Sequence, residues 1–388
     1  MRAPSPNPLV VSAAGPAILQ AREWLTAYDG AFGPALDLSQ AAAPYPPSSE
    51  LLDRLSQAAR LAEYSRYGPV PGEHALRASY ARHVSDLYQA EMEPTCVSIT
   101  SGCNQAFSIA VMCVAGHGDE IVLPSPWYFN HKMTLDMLGI RTRELPCNAA
   151  TGFIPDSVAL DRLVDEKVRA VVLTTPNNPT GATYPPDVID AISAVCRKHG
   201  TWLILDETYR DFRPDEVSPP HTIYTGDGRL GTIGLYSFSK SLAIPGFRLG
   251  AMTYPSQLIE HVVKVQDCLQ ICPVRAGQVA VKWALENLDD WRRGKRLWFA
   301  TKQQQFCLNG AEDQGWEVAS IGAFFAYLRH PFAIGAVEVA RHIASRNGML
   351  MIPGPYFGPD QNQYLRLSFG SLSPEDLKDI SRRLTVNV

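Results

Sequence analysis

One lysine of this 388-residue chain lies in a setting that favours chemistry at its amine. Lys240 follows Ser237 and Ser239 in an apolar stretch, and no other charged residue occurs between Arg229 and Arg248. An apolar environment lowers the pKa of a lysine and makes its neutral amine a nucleophile that can form a Schiff base. A lysine without such a role would more often belong to a charged surface run. The pattern therefore indicates a catalytic lysine.

Three further groups of polar residues follow apolar runs of the sequence. Residues 101–105 lead into an apolar helix, and small residues at such a turn leave backbone N–H groups free to bind a phosphate, although helix capping alone would explain them. Prolines fix the backbone around Asn178 in residues 176–181, which could equally be a rigid turn. Asp206 ends an apolar run, where burying a carboxylate costs free energy unless a cation or a hydrogen-bond donor is nearby. Capping of the next segment would equally explain this residue.

The elements that must position these groups are short apolar runs that alternate with helical stretches from about residue 95 onwards. Such alternation favours a largely parallel sheet with helices on both faces, and ligands bind beyond the carboxyl ends of the strands in these sheets. The polar groups described above then lie together at that edge. We predict helices at residues 50–63, 73–89 and 255–268, and strands at residues 97–100, 120–123, 141–145, 170–174, 202–205, 233–236 and 248–253.

The sequence after about residue 290 has a different pattern, in which predicted helices alternate with short predicted strands. The strands are predicted at residues 316–319, 323–329, 349–352 and 364–368. We therefore predict an α/β protein with a large domain, built on a mostly parallel seven-stranded sheet covered by helices, and a smaller α+β domain. The predicted divisions are an N-terminal arm with part of the small domain at residues 1–45, the large domain at 46–289 and the small C-terminal domain at 290–388.

Four motifs, taken together, resemble those of one enzyme family. The string S-x-S-K-x-x-x-x-P-G-x-R-x-G at residues 237–250 resembles the pyridoxal-phosphate attachment region of class I aminotransferases, which have the fold type I architecture. The strings P-N-N-P-T-G at 176–181, D-E-T-Y at 206–209 and Y-L-R-L-S-F at 364–369 follow the order of that family. The resemblance covers about residues 36–388. It implies a pyridoxal 5′-phosphate-dependent enzyme that transfers an amino group from an L-amino acid to a 2-oxo acid.

The resemblance implies a role for each matching residue. Lys240 would carry the cofactor through a Schiff base and shuttle the proton, and Asp206 would pair with the pyridine nitrogen. Tyr209 and Asn178 would hydrogen-bond the phenolic oxygen of the cofactor, and Tyr128, or Trp127 beside it, would stack on the ring. The residues implied to hold the phosphate are Ser237, Ser239 and Arg248, together with the backbone of Cys103 and Asn104.

The resemblance also implies the substrate contacts and the oligomeric state. Arg366 matches the arginine that grips the α-carboxylate of the substrate, assisted by Asn178 and by the backbone near Ala41. Tyr67 matches a tyrosine that is lent to the phosphate of the neighbouring subunit. A homodimer with shared active sites is therefore expected.

Departures from the family pattern bear on the substrate. Asn104 stands where one subgroup has a lysine for a second carboxylate, no arginine occurs between Arg248 and Arg275, and Ala41 replaces a usual glycine. We therefore expect an amino-acid substrate with an uncharged side chain, either aromatic or methionine-like. Arg275 or Lys264 could instead bind the second carboxylate of an aspartate-type substrate. The apolar pocket edges expected from the sequence are Ala41, Tyr45, Phe324, Tyr356 and Phe357. A lyase that eliminates or cyclises on the same scaffold remains an alternative.

Composition excludes several other classes of protein. The chain has 35 Lys+Arg against 39 Asp+Glu and a net charge of -4, so no basic field for nucleic acid or a membrane is expected. No apolar run approaches the roughly 20 residues of a membrane span. The eight cysteines form no C-x-x-C pair and the histidines show no metal spacing, so we expect reduced thiols, no metal and a cytoplasmic location. The G-x-G-x-x-G string at 226–231 precedes a strand and opens no helix, which indicates a turn.

Overall fold

The computed structural model describes residues 4–213, 219–308 and 315–384. The helices are α1 (Pro8–Ser12), α2 (Ala17–Arg22), α3 (Ser49–Ala59), α4 (His74–Tyr88), α5 (Cys103–Val114), α6 (Phe129–Met137), α7 (Ser157–Leu163), α8 (Pro186–His199), α9 (Phe238–Ser241), α10 (Ile259–Gln270), α11 (Arg275–Asn287), α12 (Asp289–Leu308), α13 (Ala336–Asn347) and α14 (Pro374–Arg383). The strands are β1 (Leu36–Asp37), β2 (Val97–Thr100), β3 (Glu120–Ser125), β4 (Arg141–Pro146), β5 (Val168–Thr174), β6 (Trp202–Asp206), β7 (Thr232–Ser237), β8 (Gly250–Thr253), β9 (Glu317–Gly322), β10 (Phe325–Arg329), β11 (Met349–Leu350), β12 (Ile352–Pro353) and β13 (Tyr364–Ser368).

Seven strands form the central sheet in the order β2-β8-β7-β6-β5-β3-β4. Strand β8 runs antiparallel to both of its neighbours, and the other pairs are parallel. All residues of β2, β7 and β8 are buried, as expected for strands covered on both faces. The prediction of an α/β fold with a mostly parallel seven-stranded sheet is confirmed.

Helices cover both faces of this sheet, because successive side chains of a strand point to opposite faces. On one face, Ile204 of β6 packs in a core with residues of α5, α6 and α10. On the other face, the neighbouring residues Leu203 and Leu205 pack with α7 and α8. A third core joins α4 and α11 to β2, β7 and β8 at the edge of the sheet. These helices fix the positions of the strand ends.

The C-terminal part of the chain contains a four-stranded antiparallel sheet with the order β12-β13-β10-β9. The strand predicted at residues 349–352 divides in two, because Met349–Leu350 pairs with β1 whereas Ile352–Pro353 pairs with β13. The pairing of β1 with β11 ties the N-terminal segment to residues near the C-terminus. The divisions at residues 45/46 and 289/290 remain a prediction.

Two element boundaries differ from the prediction in ways that matter for the site. Strand β8 begins at Gly250 rather than at residue 248, because Arg248 adopts a left-handed backbone conformation with φ of 51°. Helix α10 begins at Ile259 after a short 3₁₀ turn, rather than at residue 255.

In the described ranges, no helix combines the length and the apolar character that crossing a membrane requires.

Candidate active site

A cavity of about 180 Å³ lies at the carboxyl ends of the parallel strands. It is lined by Cys103, Asn104, Tyr128, Thr174, Asn178, Asp206, Thr208, Tyr209, Ser237, Ser239, Lys240, Pro245 and Arg248. Every cofactor-binding residue predicted from the sequence, apart from Tyr67, is in this set. Tyr128 lines the cavity, whereas its neighbour Trp127 does not. The structure therefore brings the candidate residues together at the edge of the sheet where ligands are expected.

Lys240 lies in the short helix α9, which begins directly after β7. Its Nζ donates a hydrogen bond to the backbone oxygen of Ala41 at 2.5 Å and lies 5.9 Å from the centre of the Tyr209 ring. Burial, and then the positive charges of Arg248 and Arg366, lower the pKa of Lys240 to about 8. A substantial fraction of this amine is therefore neutral near physiological pH, as nucleophilic chemistry requires.

Asp206 is the last residue of β6, and only 4% of its surface is exposed. Its Oδ2 lies 3.3 Å from Nε2 of His131, and its Oδ1 accepts a hydrogen bond from the backbone N–H of Thr208 at 3.0 Å. Burial alone would raise the pKa of Asp206, but the interactions with His131 and Thr208 outweigh burial and lower it. The carboxylate is therefore ionised inside the cavity, where it can pair with a protonated ring nitrogen.

His131 is a functional candidate that sequence reasoning missed. Its ring stacks on Phe107 with centroids 4.0 Å apart, which fixes the imidazole against Asp206. The spacing of three residues from Tyr128, at the start of α6, was the available signal, since such residues lie on one side of a helix. That signal alone does not separate a carboxylate partner from a packing histidine.

A candidate anion-binding cradle lies at the N-terminus of α5. Gly102 precedes this helix with φ of +81°, and none of the described side chains makes a hydrogen bond that caps the helix. The guanidinium of Arg248 lies beside Gly102, so that a Cβ atom there would overlap it, and its Nη2 donates to the backbone oxygen of Ser101 at 3.3 Å. The buried Oγ of Ser239 has no hydrogen-bond partner in the part of the chain that the structure describes. Free N–H groups, a cation and an unused hydroxyl suit a phosphate.

Arg366 lies in β13 and is 2% exposed. Its Nη1 donates to Oδ1 of Asn178 at 2.9 Å and its Nη2 donates to the backbone oxygen of Ser39. The Cζ atom of its guanidinium lies 5.1 Å from the centre of each of two aromatic rings, those of Phe325 and Phe357. Burial lowers its pKa to about 10, so the group stays charged at neutral pH. A rigid, desolvated guanidinium of this kind suits the carboxylate of a small substrate.

Two tyrosines provide buried hydroxyl groups at the cavity. Burial raises the pKa of Tyr128 to about 12, and its hydroxyl accepts a hydrogen bond from Nδ2 of Asn130 at 2.8 Å. Burial likewise raises the pKa of Tyr209, whose ring packs edge-on against Phe325 with centroids 5.2 Å apart. Both hydroxyls therefore remain protonated, and Tyr209 can donate a hydrogen bond into the cavity.

Some predicted residues lie away from this cavity. Tyr67 is 80% exposed. Phe324 and Phe357 are fully buried in hydrophobic cores, and Tyr356 lines a separate cavity of about 730 Å³ beside α1 and α6. Tyr45 packs edge-on against Trp291 and Trp298 on α12. The aromatic residues that the sequence predicts at the pocket edges therefore do not line the 180 Å³ cavity.

Comparisons with known proteins agree with this geometry. The profile of the family described as "Aminotransferase class I and II" matches residues 34–384. An aromatic aminotransferase of Arabidopsis thaliana is 28% identical over 358 residues, covering 90% of this chain and 88% of the relative. An arginine–pyruvate transaminase of Pseudomonas aeruginosa is 28% identical over 337 residues, covering 84% of this chain and 83% of the relative. The structure of an aspartate aminotransferase from Thermus thermophilus with maleate superimposes with a TM-score of 0.89 at 22% identity, covering 99% of each chain.

The chain therefore belongs to the class I and II aminotransferase family, and the protein is an aminotransferase. Enzymes of this family depend on pyridoxal phosphate and act on amino acids and oxo acids. The names of its relatives do not favour the alternative of a lyase on the same scaffold.

Proposed function

We propose that this enzyme holds pyridoxal 5′-phosphate on Lys240 and transfers the amino group of an L-amino acid to a 2-oxo acid. The observation that carries the proposal is the position of Lys240, whose pKa is about 8, in one cavity with an ionised carboxylate and an anion cradle. The buried Arg366 is near enough to Lys240 for its charge to lower the pKa of that lysine, and its guanidinium would bind a carboxylate of the substrate.

The residues present fit the cofactor at both of its ends. The phosphate would be held by the N-terminus of α5 at Cys103 and Asn104 and by Ser237, Ser239 and Arg248. Asp206 would pair with the ring nitrogen and keep it protonated. When bound, the cofactor supplies an electron-poor ring that takes up the electron pair left on the Cα atom of the substrate.

The residues of the chain then divide the remaining tasks. Arg366 would bind the α-carboxylate and orient the substrate. The amide oxygen of Asn178 accepts from Arg366, so the N–H donors of this amide would serve the phenolic oxygen of the cofactor. The hydroxyl of Tyr209 would donate to the same oxygen. The free amine of Lys240 would take the proton from the Cα atom of the substrate, hold it and release it again. A pKa of about 8 suits a group that must both take and give a proton near neutral pH.

The cofactor attachment can be tested chemically. Borohydride reduction of the loaded protein, followed by peptide mass spectrometry, should place the cofactor on Lys240. Lys302 provides a matched control, because burial likewise lowers its pKa to about 8, yet it lies beside the Trp298 ring and does not line the 180 Å³ cavity. We expect Lys302→Met to be labelled fully and Lys240→Met not at all. Labelling of Lys302, or of any other lysine, in the wild-type protein would contradict the proposal.

We propose that the preferred amino donor has an uncharged side chain, either aromatic or methionine-like. A dicarboxylic donor needs a second cation, because a buried carboxylate without a partner costs several kcal/mol. Arg275 is already held by Glu73 at 2.5 Å and by the backbone oxygen of Glu63 at 2.5 Å, and Lys264 is exposed on α10. Asn104, which lines the cavity at the position where one subgroup of the family has a lysine, is uncharged. The name of the Arabidopsis relative, an aromatic aminotransferase, points the same way.

Donor screening with 2-oxoglutarate, pyruvate and phenylpyruvate as acceptors tests this preference. We expect kcat/KM for phenylalanine, tyrosine, tryptophan or methionine to exceed that for aspartate by at least roughly tenfold, which is about 1.4 kcal/mol of transition-state binding. Aspartate as the best donor would overturn the proposal. Arg275→Ala would then show whether that arginine leaves Glu73 to bind the second carboxylate.

We further propose that the enzyme is a homodimer with shared active sites. The support is that two segments carry exposed hydrophobic side chains, Leu61 and Tyr67 on one and Ile271 and Val274 on the other. The two segments that carry them are in contact, since the N–H of Gly68 donates to Sγ of Cys272 at 3.3 Å. Sedimentation should give a dimer, and Tyr67→Phe should retain the cofactor less well. An active monomer would contradict this arrangement.

The cytoplasmic location is proposed from the scattered cysteines, of which the seven described are unpaired.

A further inference from the structure

The thiol of Cys103 contacts the carboxylate that the proposed function assigns to the cofactor nitrogen. Cys103 is the first residue of α5, lines the cavity and places its Sγ 3.5 Å from Oδ1 of Asp206. Burial, and then the charge of Asp206, raise the pKa of this thiol well above its ordinary value. At neutral pH the sulfur therefore keeps its proton and can donate a weak hydrogen bond. The proposed phosphate site involves only the backbone of this residue.

The donors around Asp206 are distributed unequally between its two oxygens. Oδ1 receives the backbone N–H of Thr208 at 3.0 Å and the thiol of Cys103 at 3.5 Å. Oδ2 has His131 at 3.3 Å. Each carboxylate oxygen accepts about two hydrogen bonds. The hydroxyl of Thr208 also contributes to lowering the pKa of Asp206. Among the hydrogen bonds of the described residues, two fall on Oδ1 and only the contact with His131 falls on Oδ2. A further donor can therefore bind at Oδ2.

We propose that Cys103 is a positioning residue of the reaction, whose S–H group occupies Oδ1 of Asp206 and so directs Oδ2 to the protonated nitrogen of the cofactor. This inference rests on the proposed function, because it assumes that Asp206 pairs with that nitrogen. Without the thiol, Thr208 and His131 still hold the carboxylate, but Oδ1 loses one of its two hydrogen bonds and would compete with Oδ2 for the nitrogen. The helix start at Cys103 fixes the thiol at the distance that this contact needs.

The test compares two forms of the cofactor on the cofactor-free protein. Pyridoxal 5′-phosphate has the ring nitrogen, and 1-deazapyridoxal 5′-phosphate has a carbon in its place, so only the former pairs with Asp206. Binding of each is titrated by fluorescence to wild type, Cys103→Ala and Cys103→Ser. Cys113→Ala is the matched control, because Cys113 lies on the same helix about 15 Å further along. Burial also raises the pKa of Cys113, to about 11, so both thiols are protonated at neutral pH.

We expect Cys103→Ala to weaken binding of the natural cofactor roughly two- to tenfold, the range for loss of one weak hydrogen bond, and to leave binding of the deaza form unchanged. Cys103→Ser, which keeps a donor, should recover part of the loss, and Cys113→Ala should change neither affinity. Unchanged binding of the deaza form also shows that the variant site is folded.

Two other results would overturn the inference. Equal weakening of both cofactor forms would assign Cys103 a packing role, and unchanged binding of both would assign it none. Failure of the proposed function gives a different result, because wild type itself would then bind the two forms equally or bind neither. The pH titration of the absorption band of the bound natural cofactor gives a second readout. It should shift in Cys103→Ala and remain in place in Cys113→Ala.

Discussion

The low pKa of Lys240 should make the stability of the cofactor-free enzyme depend on pH. Burial and the charges of Arg248 and Arg366 lower this pKa from 10.5 to about 8. Because one pKa unit corresponds to about 1.4 kcal/mol, the shift costs the folded state at most roughly 3 kcal/mol. The cost arises because the folded chain must hold an ammonium ion in a site where the unfolded chain would leave it in water.

The sign of the effect follows from the order of the two pKa values. The folded pKa lies below the unfolded one, so the unfolded chain takes up the proton first as the pH falls from about 10.5. Stability therefore declines between pH 10.5 and pH 8, and below pH 8 both states are protonated and the full cost is present. Above pH 10.5 the amine is neutral in both states, and the contribution vanishes.

We expect Lys240→Met to remove this dependence. The free energy of unfolding of the variant, relative to that of wild type, should rise by up to about 3 kcal/mol as the pH falls from 10.5 to 7, with most of the change between pH 10.5 and 8. Urea unfolding of both cofactor-free proteins at steps of half a pH unit measures it.

Lys264→Met is the control, because Lys264 is exposed on α10 and its replacement should give no such slope. A difference between wild type and Lys240→Met that stays constant over this pH range would refute the reasoning, since a constant reports only packing.

Three further substitutions test other parts of the site. His131→Phe should raise the pKa of Asp206 and weaken binding of the natural cofactor by at least roughly tenfold in a fluorescence titration, because a charge-assisted donor is lost; binding at the wild-type affinity would contradict this. Gly102→Ala should lower cofactor affinity, since the methyl group meets Arg248 and φ is +81°, and an unchanged Kd would contradict the cradle. Glu207→Gln should lower the free energy of unfolding in urea by about 3 kcal/mol, because it leaves a buried arginine without its carboxylate; a loss below the error of the method would contradict it.

The positions of the candidate residues could be predicted because they depend on local sequence. A parallel sheet places the ends of its strands at one edge, so Asp206, Asn178 and Lys240 had to meet once the strands were recognised. The strand boundaries agree to within about two residues at most ends, since buried runs and turn residues mark them clearly.

Contacts between distant segments could not be predicted in the same way. The meeting of His131 with Asp206 depends on the angle at which α6 crosses the sheet. The burial of Phe324 and Phe357 depends on how the C-terminal sheet packs, and their apolar character suits a pocket wall and a core equally well. The left-handed conformation of Arg248 also has no local signal, because an arginine rarely adopts it.

The two adjacent carboxylates of D-E-T-Y show why type and spacing alone do not assign a function. Asp206 faces α5 and α6, where it meets His131, while Glu207 faces α4, where the hydroxyl of Tyr88 donates to its two oxygens at 2.5 and 2.6 Å.

Both groups are buried, and for both the pKa is lowered because hydrogen bonds and nearby positive charge outweigh desolvation. An ionised buried carboxylate is therefore not by itself evidence of catalysis. The difference is that Asp206 lines the cavity that also contains Arg248 and Lys240, the lysine of low pKa. Glu207 has instead a tyrosine, a histidine and the buried Arg210 around it, and its charge contributes to holding α4 against the sheet.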